Sequence, residues 1–396
     1  MLKDLKLTFK SALVYGLGNL SIKLLGFFLL PLYTTYLPVS DYGILGLLES
    51  ISQILVSIFS FNLTSALFRW YWDSRYTHQQ KSIFFTSLAF SSIIALVVVI
   101  ALFPWTSYAS ELLFESTELS GLLKLMVVFS ALEIIITLPA ALLRLQEKAP
   151  LYTTSMVLRF VINLCATVFL FAFVSKTVDS IYIAQIMGSC VYLIILLPYI
   201  WRNIEVRFEE RILREMLWYA IPLVIGSISG ILVSFIDRYL LKYFGILANV
   251  GIYALGTKIA NIILFIVMSL QLALGPIIYK SIDQADSKRF YSKIMTYLAF
   301  SVMLLVLGAS IFGQEVVKVL ARNPDYWSAF QVIPFLAFGI FFGTLKDMAA
   351  TGLIVARTTK LMASITTIMA VLNVVFDLLL IPYWNTIGAA LAIFIA

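Results

Sequence analysis

Residues 11–37 read SALVYGLGNLSIKLLGFFLLPLYTTYL, and Lys23 is the only charged side chain in the stretch. An apolar run of roughly 20 residues is long enough to cross the hydrocarbon core of a bilayer as a helix. In lipid the backbone N–H and C=O groups have no other partners, so a helix is required. Lys23 lies near the middle of the run. A charge at that depth costs roughly 2.5–3.5 kcal/mol even on the mildest scale. It must therefore meet an opposite charge or water.

The pattern recurs along the chain. Apolar runs occupy 11–37, 41–66, 82–104, 119–143, 150–174, 179–201, 217–241, 249–275, 294–313, 328–350 and 360–382, with a last run from 386. They predict an all-α integral membrane protein of about 12 spans. Composition agrees: 61% of residues are hydrophobic and 12% charged, with mean hydropathy +0.98. Soluble domains carry about 25% charged residues. The last run covers only about 16 Å before Ala396 at 1.5 Å per residue, so the twelfth span is expected to be truncated and the natural chain to continue.

Lys and Arg alternate with the loops. Lys3, Lys6 and Lys10, then Arg69, Arg75 and Lys81, then Arg202, Arg207, Arg211 and Arg214, then Lys280, Lys288, Arg289 and Lys293 fall on one side. The other side holds only Lys124, Lys176, Lys242, Lys318 and Arg322, beside the acidic Glu111, Glu115 and Glu118. Positive loops stay inside, so the N-terminus is expected in the cytoplasm and the protein in the cell's inner (plasma) membrane. The pI of about 9.2 then reflects topology, and nucleic acid is not an expected partner. All seven Trp residues lie at expected span ends, where indoles prefer the interface. The first run is far longer than a signal-peptide core and reads as an uncleaved helix. Cys165 and Cys190 lie mid-span, and His78 sits in a loop. That excludes a disulfide framework or metal-ligand spacing, and no cofactor is expected.

The chain repeats itself. Tyr15-Gly16-Leu17-Gly18-Asn19 opens span 1 and Tyr219-Ala220-Ile221-Pro222-Leu223 opens span 7. Later, Tyr42-Gly43-Ile44 matches Val250-Gly251-Ile252. Six spans separate the copies, which makes the repeat parallel, with a site expected between lobes. The expected units are an N-terminal lobe, 1–201, and a C-terminal lobe, 217–396. The charged joint 202–216 is expected to lie along the inner surface as an amphipathic helix.

Seven ionisable groups sit inside spans: Lys23, Arg159, Arg238 and Lys258, with Glu49, Glu133 and Asp237. Polar residues follow helical spacing around them, as in Gly16, Asn19, Lys23 and Gly26, or Glu49, Gln53, Ser57 and Ser60. Stripes of small and polar residues are also how membrane helices pack. Charge at a stripe's centre favours a hydrated cavity. The candidate ligand groups are Lys23, Arg159, Lys258, Arg238, Asn19 and Gln53, because Lys and Arg suit anions such as phosphate. Glu49, Asp237 and Glu133 are the candidate coupling carboxylates. Each has a plainer reading: an interlobe bridge between Glu49 and Lys258, a local pair between Arg159 and Glu133, and snorkelling of Arg238.

Tyr15-Gly-Leu-Gly-Asn, Lys23-Leu-Leu-Gly-Phe, Pro31-Leu-Tyr-Thr-Thr-Tyr-Leu, Asp41-Tyr-Gly and Asp237-Arg238-Tyr239 together resemble the polysaccharide-unit flippases of the Wzx type. These belong to the MOP exporter superfamily, with the lipid II flippases and the MATE drug exporters. The resemblance implies a MATE-like alternating-access transporter of two six-helix lobes. It implies transfer of an oligosaccharide on a polyprenyl diphosphate from the cytoplasmic to the outer leaflet, for O-antigen or capsule export, in company with membrane lipids, a polysaccharide polymerase and other assembly proteins. It also implies two more spans than this chain carries, and an ion gradient is a natural drive for antiport. The rival within transport is a MATE-like exporter of multiple drugs or small amphiphiles, which an acidic cavity would favour. A membrane enzyme of polysaccharide assembly, a polymerase or acyltransferase, needs catalytic groups that short loops and a lone His78 do not offer, so no enzymatic activity is expected.

Overall fold

In the computed structural model, residue 27 and residues 29–281, 287–355 and 359–396 are described. Most of the first span, with Asn19 and Lys23, lies outside them. The helices are α1 (Leu30–Tyr36), α2 (Val39–Phe59), α3 (Leu63–Trp70), α4 (Gln80–Leu102), α5 (Thr106–Phe114), α6 (Ser120–Leu145), α7 (Ala149–Phe173) and α8 (Val178–Arg202). Then come α9 (Glu210–Phe244), α10 (Leu247–Ser281), α11 (Ser287–Ile311), α12 (Gly313–Leu320), α13 (Ile333–Val355) and α14 (Thr359–Ile395). A 3-10 segment, Pro324–Gln331, precedes α13. Among the described residues, eight helices are long and apolar enough to cross a membrane, or nine if the bent pair Pro324–Gln331 and Ile333–Ala349 is one span.

Each expected span from the second to the eleventh coincides with helical structure, and the second shows a break that hydropathy could not reveal. The second span divides into α2 and α3 at Phe61 and Asn62, with φ of +49° and +48°. Asn tolerates that left-handed region and a bulky Phe rarely does. The eleventh and twelfth runs join as α14, interrupted at Asn385 with φ 47° and ψ −123°.

The chain forms two compact units. One holds 48–232; the other combines 29–47 with 233–396. In the first, α6 is the central helix: Ile134, Leu138, Ala141, Leu142 and Leu143 are fully buried. The last four belong to a cluster with Leu63, Leu67, Ile83, Phe84, Tyr192, Leu196 and Met216, and Ile134 packs with Ala95 and Ala131. Ser52 and Ser130 share a hydrogen bond of 2.8 Å. At one end, Gln146 donates to Tyr71 Oη (2.6 Å) and Asn203 Oδ1 (2.8 Å) and accepts from Tyr199 (2.6 Å). That junction ties α6, α8 and the segments flanking them.

The joint corrects one expectation. Residues 203–209 are not helical, and α9 begins only at Glu210. The backbone there is satisfied by α4 instead. Thr86 Oγ1 donates to the Arg207 carbonyl (3.3 Å) and accepts from the Glu209 N–H (3.0 Å). Tyr76 also donates to Glu215 (3.1 Å). A helix over 203–209 would forgo these contacts.

In the second unit, Ile263, Val267, Leu298, Val302, Val306, Ala337 and Phe341 form the core of α10, α11 and α13. Residues 29–47 dock on C-terminal elements. Thr34 Oγ1 donates to the Leu320 carbonyl (3.0 Å), and the fully buried Tyr326 places its hydroxyl on the carbonyls of Leu37 (3.0 Å) and Pro38 (3.1 Å). Tyr326→Phe should strand those carbonyls at a cost of about 1–2 kcal/mol. A melting temperature equal to the parent's in detergent would contradict that. Deeper in, α2 crosses α10 at Gly43 and Gly251, where a Cβ on either glycine would strike backbone of the other helix.

Candidate functional site

The most concentrated group of buried polar side chains described lies in the second unit, among α9, α10 and α14. Asp237, Tyr253, Asn373 and Asp377 are all nearly or fully buried. Tyr253 Oη donates to Asp237 Oδ2 at 2.8 Å. The carboxamide of Asn373, with its amino group toward the acids, donates to Asp377 Oδ2 and Asp237 Oδ1, each at 3.3 Å. The two carboxyl groups lie within hydrogen-bonding reach of each other. Asp377 Oδ1 has no hydrogen-bond partner among the described residues. Asn373 and Asp377 are one helical turn apart on α14, so they present one face.

Arg238 leaves this cluster by a different direction. Consecutive residues point about 100° apart on a helix. Its Nη1 donates to the Gly46 carbonyl on α2 at 2.8 Å, and it is only 8% exposed. Burial against a main-chain oxygen replaces snorkelling to a headgroup. Lys258, half-buried on α10, holds its ammonium 5.2 Å from the ring centre of Tyr42. Tyr42 and Gly46 are one turn apart on α2, so both cations approach one helix face.

The second polar group lies in the first unit. Glu133 on α6 accepts hydrogen bonds on Oε1 from Arg159 Nη2 of α7 and from Ser189 Oγ of α8, the latter at 3.1 Å. Arg159 Nη2 also donates to Ser189 Oγ at 2.9 Å. The guanidinium sits 5.8 Å from the ring centre of Tyr192. The local ion pair anticipated from sequence is therefore present. Gly188 lets α8 come close, since a Cβ there would meet the Arg159 carbonyl at 3.0 Å.

The other expected residues are dispersed. Glu49 is half-buried on α2, near the buried Tyr182 hydroxyl of α8. Gln53 is exposed. Glu49 belongs to the first unit and Lys258 to the second. Cys165 is exposed. Asp377 and Asn373 are not among the residues that mid-span charge singles out. The signal was an Asn-x-x-x-Asp pair on one face of an apolar run.

The family model described as polysaccharide biosynthesis protein matches residues 8–282, and the MatE model matches 222–379. A membrane protein of Methanocaldococcus jannaschii is 23% identical over 91% of this chain and 76% of its own length. A protein of the Lsg locus of Haemophilus influenzae is 22% identical over 76% of this chain and 73% of its own. Among solved structures, the lipid II flippase MurJ in an inward closed conformation is similar with a TM-score of 0.77 at 13% identity, covering 97% of this chain and 84% of that one. An inward-facing multidrug resistance MATE family transporter of the MOP superfamily gives 0.74 at 15% identity, covering 96% and 95%. These matches are to transporters and a flippase, not to enzymes. By its sequence match the chain belongs to the polysaccharide biosynthesis protein family, and its many apolar helices take a fold similar to that of the MATE transporter and of MurJ.

Proposed function

We propose that this transporter is a flippase that carries polyprenyl-diphosphate-linked oligosaccharide units from the cytoplasmic to the outer leaflet of the inner membrane, for O-antigen or capsule assembly, with its N-terminus in the cytoplasm. The observation that carries the reading is the family match over residues 8–282. Charge supports it: Arg159, Arg238 and Lys258 all lie within apolar helices. Lys and Arg groups within such helices suit the oxygens of a diphosphate. Lys23, Asn19 and Gln53 belong to the same proposal, the first two outside the described residues. Assembly partners such as a polymerase would receive the product.

Coupling is assigned to the Asp237–Asp377 cluster. Arg238, the residue after Asp237, is one buried guanidinium against two buried carboxyls, Asp237 and Asp377. With both acids ionised, one negative charge is left over. An uncompensated buried charge is expensive, so the cluster suits one monovalent cation, a proton or a sodium ion. Asp377 Oδ1 is the open ligand. Glu49 is the second candidate for this role.

Proteoliposomes holding a fluorescent lipid-linked oligosaccharide test the proposal, with a proton or sodium gradient imposed in turn. Lys258→Arg should retain more transport than Lys258→Gln, since charge is the property required. Equal rates for the two variants would remove Lys258 from substrate recognition. A MATE-like exporter of small amphiphiles is favoured by the match over 222–379. It would show gradient-driven efflux of amphiphilic cations and no oligosaccharide transfer.

A further inference from the structure

Two asparagines at one end of the second unit take no part in the cluster around Asp237 and Asp377. Asn385 interrupts α14 at φ 47° and ψ −123°. This lies outside the left-handed helical region that asparagine tolerates. It is close to the first central residue of a type II′ turn, where glycine is the usual residue. The turn is tight: a Cβ on Gly388 would lie 2.4 Å from the Leu380 carbonyl. Glycine at 385 would relieve the strain, but the chain holds a carboxamide there. A side chain kept in a strained backbone points to a function for that side chain.

Asn385 Oδ1 lies 3.5 Å from Nδ2 of Asn249, in the first turn of α10. At that length the two amides hold each other only weakly. Gly245, between α9 and α10, makes room for both. A Cβ there would lie 2.7 Å from Asn249 Nδ2 and 3.4 Å from Asn385 Oδ1. Asn385 is exposed and Asn249 half-buried. Asn385 Nδ2 and Asn249 Oδ1 have no hydrogen-bond partner among the described residues. The pair therefore offers a free donor and a free acceptor on adjoining amides. Aromatic side chains adjoin it in sequence: Tyr243, two residues before Gly245, is 67% exposed, and Trp384, next to Asn385, is 55% exposed. Tyr243 also ends a row with Tyr239 and Phe235 along α9, with ring centres 6.5 and 5.9 Å apart.

We propose that Asn249 and Asn385 form a site for the sugar part of the substrate, binding neighbouring hydroxyls of one sugar ring. This deepens the flippase reading and rests on it. Each sugar hydroxyl both donates and accepts, which matches a donor beside an acceptor. Neutral amides suit hydroxyls, whereas a phosphate would call for Lys or Arg. The exposed rings of Tyr243 and Trp384 supply flat apolar surface for the C–H face of a sugar. With the N-terminus in the cytoplasm, as proposed above, the α9–α10 turn and the break in α14 both lie on the outer side. The site would then hold the glycan where it is delivered. A diphosphate is common to all such lipids, so hydroxyl recognition is what could tell one glycan from another.

The test is saturation-transfer NMR on the full chain in nanodiscs, with neutral trisaccharides of glucose, galactose and N-acetylglucosamine as probes. At least one should receive saturation from the protein. Asn249→Ala and Asn385→Gly should each weaken that binding roughly tenfold, the worth of one hydrogen bond. The melting temperature of Asn385→Gly should hold or rise, because glycine relieves the backbone strain. A purely structural asparagine would not combine lost binding with kept stability. Asn385→Gly that binds as the wild type does would overturn the site, as would the absence of saturation transfer to all three probes. Either result leaves the flippase reading to its transport assay. Phosphatidylglycerol also carries neighbouring hydroxyls. If adding it to the nanodiscs abolishes the trisaccharide signal, the site belongs to a lipid headgroup and its assignment to substrate fails. Trisaccharide binding that Asn385→Gly weakens, in a protein that transfers no lipid-linked oligosaccharide, would support the site and contradict the flippase.

Discussion

Asp377→Asn is expected to cut gradient-driven transport at least about tenfold, while the folded protein survives and is no less stable without ions. The substitution keeps the shape and an acceptor for Asn373, but it removes the surplus negative charge beside Asp237 and Arg238. A buried uncompensated carboxylate costs stability, so its loss should hold or raise the melting temperature. The wild type should instead be stabilised by the coupling ion. A ligand at 100 times its Kd contributes about 2.7 kcal/mol, and the variant should show none of this. Titrating sodium at fixed pH, then changing pH without sodium, identifies which cation acts. A variant that keeps both driven transport and ion-dependent stability would reduce the cluster to a structural network. Glu49→Gln should then be the variant that slows turnover.

Gly43→Leu is expected to yield no folded protein, and Gly43→Ala to destabilise it by about 1–3 kcal/mol. A Cβ at Gly43 would collide with the Leu247 carbonyl and lie 3.1 Å from the Gly251 nitrogen. The obstacles are backbone atoms, so no side-chain rotation relieves them. Gly251 meets Val39 in the same way, and at Gly46 a Cβ would sit 2.9 Å from the Ala254 methyl. Without a hydrophobic drive between helices in lipid, close contact through small residues supplies the packing energy. Gly121 provides the control. Nothing lies within 4 Å of its would-be Cβ, so Gly121→Ala should stabilise helix α6 by up to about 1 kcal/mol. Equal melting temperatures for Gly43→Ala and Gly121→Ala would refute this picture of the crossing.

Most of the fold was legible because lipid imposes one rule, that every span be helical. The helices α4, α6, α7 and α8 start and stop within two or three residues of the apolar runs. The break at Phe61 and Asn62 carried no Gly or Pro to announce it. The joint at 203–209 looked amphipathic, but tertiary bonds from Thr86 replaced its helix. Mid-span charge led directly to Arg159 and Glu133, because two opposite charges in apolar runs need each other or water. It missed Asn373 altogether, since a neutral amide in a span reads as packing. Asp377 lies near a span end, where a charge draws less notice, yet the side chain is fully buried. The repeat motif was visible twice in sequence. That its two glycines, Gly43 and Gly251, would meet each other was not, because pairwise contact carries no signal in a single chain.

The central claim is transfer of a lipid-linked oligosaccharide. Its most direct test is a leaflet assay in proteoliposomes containing only this protein and a fluorescent polyprenyl-diphosphate oligosaccharide, probed by a membrane-impermeant quencher. The account predicts gradient-dependent appearance of the sugar in the opposite leaflet, lost in Asp377→Asn. Gradient-driven efflux of amphiphilic cations from the same vesicles, with the oligosaccharide left where it began, would contradict it.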